Sequence, residues 1–81
     1  MQIKIYKTPN CPKCAILAAA ISNFEAVDMS TPEALTELRT HGIFAISAPV
    51  LQVDEEFFTV DYLFTGERLN EEKLKEILGR P

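Results

Sequence analysis

Cys11 and Cys14 are the two cysteines of this 81-residue chain, and their type and spacing point most directly to chemistry. They make a poor structural staple, because a bond across three residues closes so short a loop that it removes little entropy from the unfolded chain. A dithiol that opens and closes is the better use of the pair. Pro12 between them suits the first turn of a helix, where its missing N–H would have no partner anyway. A sulfur at that helix N-terminus meets unpaired N–H groups and the positive end of the helix dipole, both of which favour a thiolate. Cys11 is therefore expected to be the nucleophile, with Lys7 and Lys13 adding positive charge nearby. Cys14 follows on the same side of the first turn. It is expected to attack a mixed disulfide formed by Cys11, completing a two-electron exchange with a substrate disulfide. No Gly-rich dinucleotide fingerprint follows a strand, so NADPH and flavin are not expected. The Cys11–Cys14 disulfide would be the sole redox group, and electrons would arrive from another protein or a small thiol.

The elements around the pair can be read from periodicity and caps. Residues 2–6 (QIKIY) alternate and are β-branched, which predicts a first strand with Ile3 and Ile5 on one face. Lys7, Thr8, Pro9 and Asn10 are turn-forming, and residues 13–22 (KCAILAAAIS) are rich in helix formers. The cysteines thus fall at a strand-to-helix junction. Residues 24–29 (FEAVDM) predict a second strand. Thr31 caps a helix that begins at Pro32, carries Ala34, Leu35 and Leu38 as its apolar stripe, and stops at His41 and Gly42. Residues 50–53 (VLQV) and 57–60 (FFTV) predict an antiparallel hairpin whose tip is Asp54, Glu55 and Glu56. Asn70 caps a last helix with Leu74, Ile77 and Leu78 on its apolar face, and Leu69 is placed to staple against Leu74. The order strand, helix, strand, helix, hairpin, helix predicts an α/β domain with a four-stranded mixed sheet flanked by three helices.

Composition sets the remaining bounds. Eighty-one residues, 47% of them hydrophobic and 25% charged, suit one domain with its own core. The net charge of −4 and the scattered lysines and arginines argue against nucleic acid as a partner. The opening MQIKIYKTP is unlike a signal peptide, which predicts a cytoplasmic protein. The apolar stretch 15–21 is far short of the roughly 20 residues that a membrane span requires.

With Cys-Pro-Lys-Cys after the first strand, Ala-Pro before the third, and a hairpin then a helix, the chain resembles the glutaredoxin-like branch of the thioredoxin superfamily. Within it, the chain is most similar to the NrdH-type redoxins. The resemblance covers nearly the whole chain, and Phe64-Thr65-Gly66-Glu67-Arg68 is similar to the aromatic-Ser-Gly-x-Arg stretch of those redoxins. It implies a thioredoxin fold, Cys11 as nucleophile and Cys14 as resolving thiol. It also implies that Pro49 is a cis-proline facing the disulfide and that Ala48 offers its backbone to the substrate. Ribonucleotide reductase would be the usual substrate and thioredoxin reductase, or an equivalent flavoprotein, the donor. Pro12, Lys13 and Lys7 join Ala48 and Pro49 as the expected substrate-binding residues of a monomer. Glutathione-using glutaredoxins carry Thr-Val-Pro and a Gly-Gly followed by an acidic residue. This chain has Ser47-Ala48-Pro49 and a lone Gly66, which points away from glutathione.

Plainer readings stand beside these. A Cys-x-x-Cys pair is also half of a zinc or iron-sulfur ligand set, but the other half is missing, and a metal would need a dimer sharing both pairs. His41, the single histidine, falls at the end of the second helix, where it suits that helix's dipole. Pro49 also reads as the mark of a strand's start. Tyr6 and Phe64 suit a core better than a substrate groove, and Lys7 and Lys13 would be ordinary solvated lysines if they met no partner. A glutathione-dependent or cluster-binding carrier and a non-catalytic interaction module are the alternatives to a disulfide reductase.

Overall fold

Ile5 and Tyr6 are neighbours in sequence, yet both are buried, and this places them in a strand covered on both faces. In the computed structural model, which describes residues 1–44 and 47–79, that strand is β1 (Ile3–Lys7). There follow α1 (Pro12–Ala20), β2 (Glu25–Asp28), α2 (Pro32–Thr40), β3 (Val50–Val53) and β4 (Glu56–Phe58). The chain continues through α3 (Val60–Leu63), β5 (Phe64–Thr65), β6 (Arg68–Leu69) and α4 (Glu71–Leu78). The sheet order is β2-β1-β3-β4. β1 and β2 run parallel, as the α1 crossover between them requires. β3 lies antiparallel to both β1 and β4. The expected four-stranded mixed sheet is therefore present.

The two faces of the sheet carry separate cores. Ile5, Leu51 and Val53 pack with Leu17 and Ile21 from α1 and its end, and with Leu74 and Ile77 from α4. Tyr6 and Val50 pack instead with Met29 and with Ala34 and Leu38 of α2. Because side chains alternate along a strand, the pairs Ile5/Tyr6 and Val50/Leu51 divide between the two sides. The phenol of Tyr6 donates to Gln52 Oε1 at 2.8 Å, so this buried aromatic is satisfied in the core. Burial, and then the negative charges of Glu37 and Glu25, raise the Tyr6 pKa above its usual value near 10. The folded state thus holds the phenolic proton more tightly than the unfolded chain. This contribution to stability is full below about pH 10 and is lost as the pH rises through the elevated pKa. Urea midpoints measured from about pH 9 to about pH 12 should fall more steeply for the parent than for Tyr6→Phe.

Local signals account for the element ends. Thr31 Oγ1 accepts the N–H of Ala34 at 3.2 Å, and Pro32 follows it at the first helical position. At the other end of α2, the N–H groups of Gly42 and Ile43 bond back to the carbonyls of Arg39 (2.9 Å) and Leu38 (2.8 Å). Gly42 makes this possible at φ 77°, a left-handed conformation that costs glycine little. Asn70 caps α4 by accepting the N–H of Lys73 at 3.1 Å. Asp54 begins the β3–β4 turn at φ 55°, and its carboxylate accepts the Gln2 N–H at 2.8 Å, tying the hairpin tip to the start of β1.

The stretch after β4 corrects the expected layout. A strand over 57–60 and three helices were expected, whereas β4 ends at Phe58 and Val60 opens the additional one-turn helix α3, giving four helices among the described residues. An edge strand continued through Val60 would have carried Leu63 and Phe64 past the sheet. The turn of α3 delivers both into the core beside Leu17, where Leu63 is fully buried. The short β5–β6 hairpin then pairs Phe64 with Leu69 and Thr65 with Arg68. No helix among the described residues is long and apolar enough to cross a membrane.

Candidate active site

The site is built where β1 hands over to α1. After Lys7 the chain turns through Asn10, whose φ of 57° is one of the left-handed positions that asparagine tolerates better than most residues. Cys11 then takes the N-cap of α1 in extended conformation, with Pro12 at the first helical position. Its sulfur occupies the place usually held by a serine or aspartate oxygen. There it accepts the N–H of Cys14 at 3.1 Å. Cys11 and Cys14 form a disulfide with their Cα atoms 5.2 Å apart, inside the ordinary range for such a bond. The two cysteines are unequal in access, since Cys11 is half-buried and Cys14 is only 4% exposed.

The loop before β3 closes the site from the other side. Pairing of Val50 with Tyr6 sets the start of β3 beside the end of β1. The Ala48–Pro49 peptide bond is cis, and Pro49 is buried. The Ala48 carbonyl oxygen lies 3.8 Å from Cys11 Sγ. The expected cis-proline is therefore present, and the residue before it touches the sulfur of the more exposed cysteine. Between the two cysteines, Lys13 holds its ammonium 5.7 Å from the centre of the Phe64 ring, a cation–π arrangement linking the motif to β5.

Lys7, exposed at the end of β1, lines a groove with both cysteines and is in register with Asp28 of β2, the strand on the opposite side of β1 from β3. The hydroxyl and N–H of Ser30, assisted by the charge of Lys7, hold the Asp28 carboxyl below its usual value. Cys11, Cys14, Lys13, Ala48 and Pro49 thus cluster around the disulfide, with Pro12 exposed in its turn and Lys7 to one flank. His41 stands at the C-terminus of α2 with its ring 4.7 Å from that of Phe57. Among the described residues no group of three or more histidines, cysteines or acids is placed to hold a metal ion.

The groove, of about 650 Å³ and announced by no spacing in the sequence, lies on the Lys7 side, its lining including both cysteines together with Pro9, Pro12, Ala15, Ala18 and Asp28. The available signal was α1 itself. PKCAILAAA has no charged residue after Lys13, and Ala15, Ile16, Ala19 and Ala20 are nevertheless exposed.

In a reduced protein this arrangement favours negative charge on Cys11, which has an N–H donor, a helix N-terminus and access to solvent, while Cys14 waits behind it. Comparison with family models, curated proteins and solved structures returns no match for the chain.

Proposed function

We propose that this protein is a thiol–disulfide oxidoreductase of thioredoxin fold that reduces protein disulfides. The observation that carries the reading is the placement of Cys11. It caps α1, accepts the Cys14 N–H at 3.1 Å, is bonded to Cys14, and meets the Ala48 carbonyl beside a cis-proline. The strand order β2-β1-β3-β4, with β1 and β2 parallel and the others antiparallel, is in keeping with that fold.

In the proposed cycle the Cys11 thiolate attacks one sulfur of a substrate disulfide, whose S–S bond breaks and releases a first substrate thiolate. A mixed disulfide now joins Cys11 to the substrate. Cys14 gives up its proton and attacks Cys11 Sγ, releasing the second substrate thiolate and closing the Cys11–Cys14 disulfide. Two electrons pass to the substrate, whose sulfurs take up protons from solvent. Ala48 and Pro49 shape the approach to Cys11, and Pro12, Lys13 and Lys7 border it. On the resemblance to NrdH-type redoxins, the substrate is ribonucleotide reductase and the donor is thioredoxin reductase or an equivalent flavoprotein. The protein works as a cytoplasmic monomer without a bound cofactor.

Steady-state reduction of insulin, driven in parallel by a thioredoxin reductase system and by glutathione with its reductase, tests this reading. Turnover with the flavoprotein system alone is expected. Turnover with glutathione alone overturns the donor assignment, and silence with both overturns the function.

A further inference from the structure

The groove on the Lys7 side of the disulfide is separate from the contact at Ala48. In the sheet order β2-β1-β3, Asp28 at the end of β2 and Ala48 before β3 lie to either side of β1, and Cys11 stands between them. A polypeptide crossing Cys11 from Ala48 therefore runs onto this groove. Its lining is dominated by Pro9, Pro12, Ala15 and Ala18, with both cysteines contributing. Two prolines and two helical alanines form a surface that loses little entropy when covered, so the groove is formed in advance. Its volume, about 650 Å³, is ample for a large aliphatic side chain. Ala15 is exposed and lines the groove, so a larger residue there would take up part of the space. At the rim, the Asp28 carboxylate accepts both the Ser30 hydroxyl at 2.6 Å and the Ser30 N–H at 2.9 Å. Lys7, exposed at the end of β1, lines the groove together with Asp28, and its charge acts on that carboxylate.

We infer that this groove is a specificity subsite that receives an apolar side chain two residues from the reacting cysteine of a polypeptide substrate. The inference rests on the proposed disulfide reduction. Cys11 is itself part of the groove lining, so an occupant that brings a sulfur to Cys11 can also lie along Pro9, Pro12 and Ala15. In an extended chain, residues i and i+2 point the same way about 7 Å apart. A cysteine aimed at Cys11 therefore aims its second neighbour at the same surface.

The test compares two disulfide-linked peptides that differ only in carrying Leu or Ser at both second-neighbour positions. Protein reduced with dithiothreitol and then freed of it reacts with each peptide in single turnover, so no electron donor is involved. The Leu peptide should react about tenfold faster at subsaturating concentration. Ala15→Leu should bring the ratio close to one, whereas Ala20→Leu, on α1 outside the groove, should preserve it. A ratio near one in the parent protein, or one that survives Ala15→Leu, overturns the subsite.

Amide-shift mapping on the oxidised full-length protein, with the Leu peptide carrying serine in place of cysteine, supplies a readout independent of reduction. Shifts confined to Thr8, Asn10, Cys11, Ala15 and Ala18 support the subsite even if neither peptide is reduced, in which case the proposed function fails alone. An unperturbed groove, or the same shifts on concentrating the protein without peptide, overturns the subsite in favour of no occupant or a second copy of the chain.

Discussion

Cys11→Ser is expected to fold as the parent does and to lose protein-disulfide reduction by about 10³-fold or more in kcat/KM. The two halves of that expectation have different origins. Folding is preserved because Cys11 is the N-cap of α1, where its sulfur accepts the Cys14 N–H. Serine is among the best residues at that position, and its oxygen can accept the same bond. Activity is lost because a serine hydroxyl remains protonated at neutral pH, where a capped and dipole-stabilised thiol has access to its anion. Cys14→Ser gives a contrasting failure. It leaves the proposed nucleophile intact and removes the buried sulfur proposed to resolve the intermediate. A covalent Cys11–substrate adduct should then accumulate, visible by mass spectrometry as protein plus one substrate chain and discharged by dithiothreitol. Substantial turnover by Cys11→Ser, or an adduct on Cys14 in place of Cys11, would reverse the assignment of the two sulfurs.

What the sequence disclosed about this site follows from how local its signals are. Pro12, Thr31 and Asn70 act on their own helices, through a fixed φ or a side chain bonded to an N–H three residues on. Each predicted helix therefore begins where they place it. The cysteine spacing is equally local, and its disulfide needs only the first turn of α1. The stretch from Val60 to Leu69 was illegible for the opposite reason. Neither α3, at one turn, nor β5 and β6, at two residues each, carries enough residues to display a period. They exist because Leu63 and Phe64 must be returned to a core made by α1, α4 and the sheet, which is a tertiary requirement. Gly66, at φ 62°, was the one local mark of the hairpin turn. The groove beside Cys11 depends on the same distance in sequence. It joins Lys7 to Asp28 through strand register, and no spacing along the chain announces which residues two parallel strands will set side by side.

The seat of α1 yields the largest expected effect on stability. Leu17 lies three residues beyond Cys14 on the same helical face, is 0% exposed, and packs with Ile5, Leu51, Leu63 and Ile77. Truncation to alanine removes three carbon atoms and leaves a space bounded by a strand and a second helix that can follow it only partway. Leu17→Ala should therefore cost about 2–5 kcal/mol. A domain of this size is stable by about 4–12 kcal/mol in total, so the loss is a large fraction and should appear as a clear fall in the urea midpoint with little change in slope. Ile16→Ala, one residue earlier, provides the comparison. Ile16 is 42% exposed, alanine is the better helix former, and the change should stay within about 0.5 kcal/mol. Equal effects from the two variants would mean that α1 sits on the sheet by a different face. Cys14, also buried on this side, would then no longer be held beneath Cys11, and the unequal access of the two cysteines, on which their separate roles depend, would be lost with it.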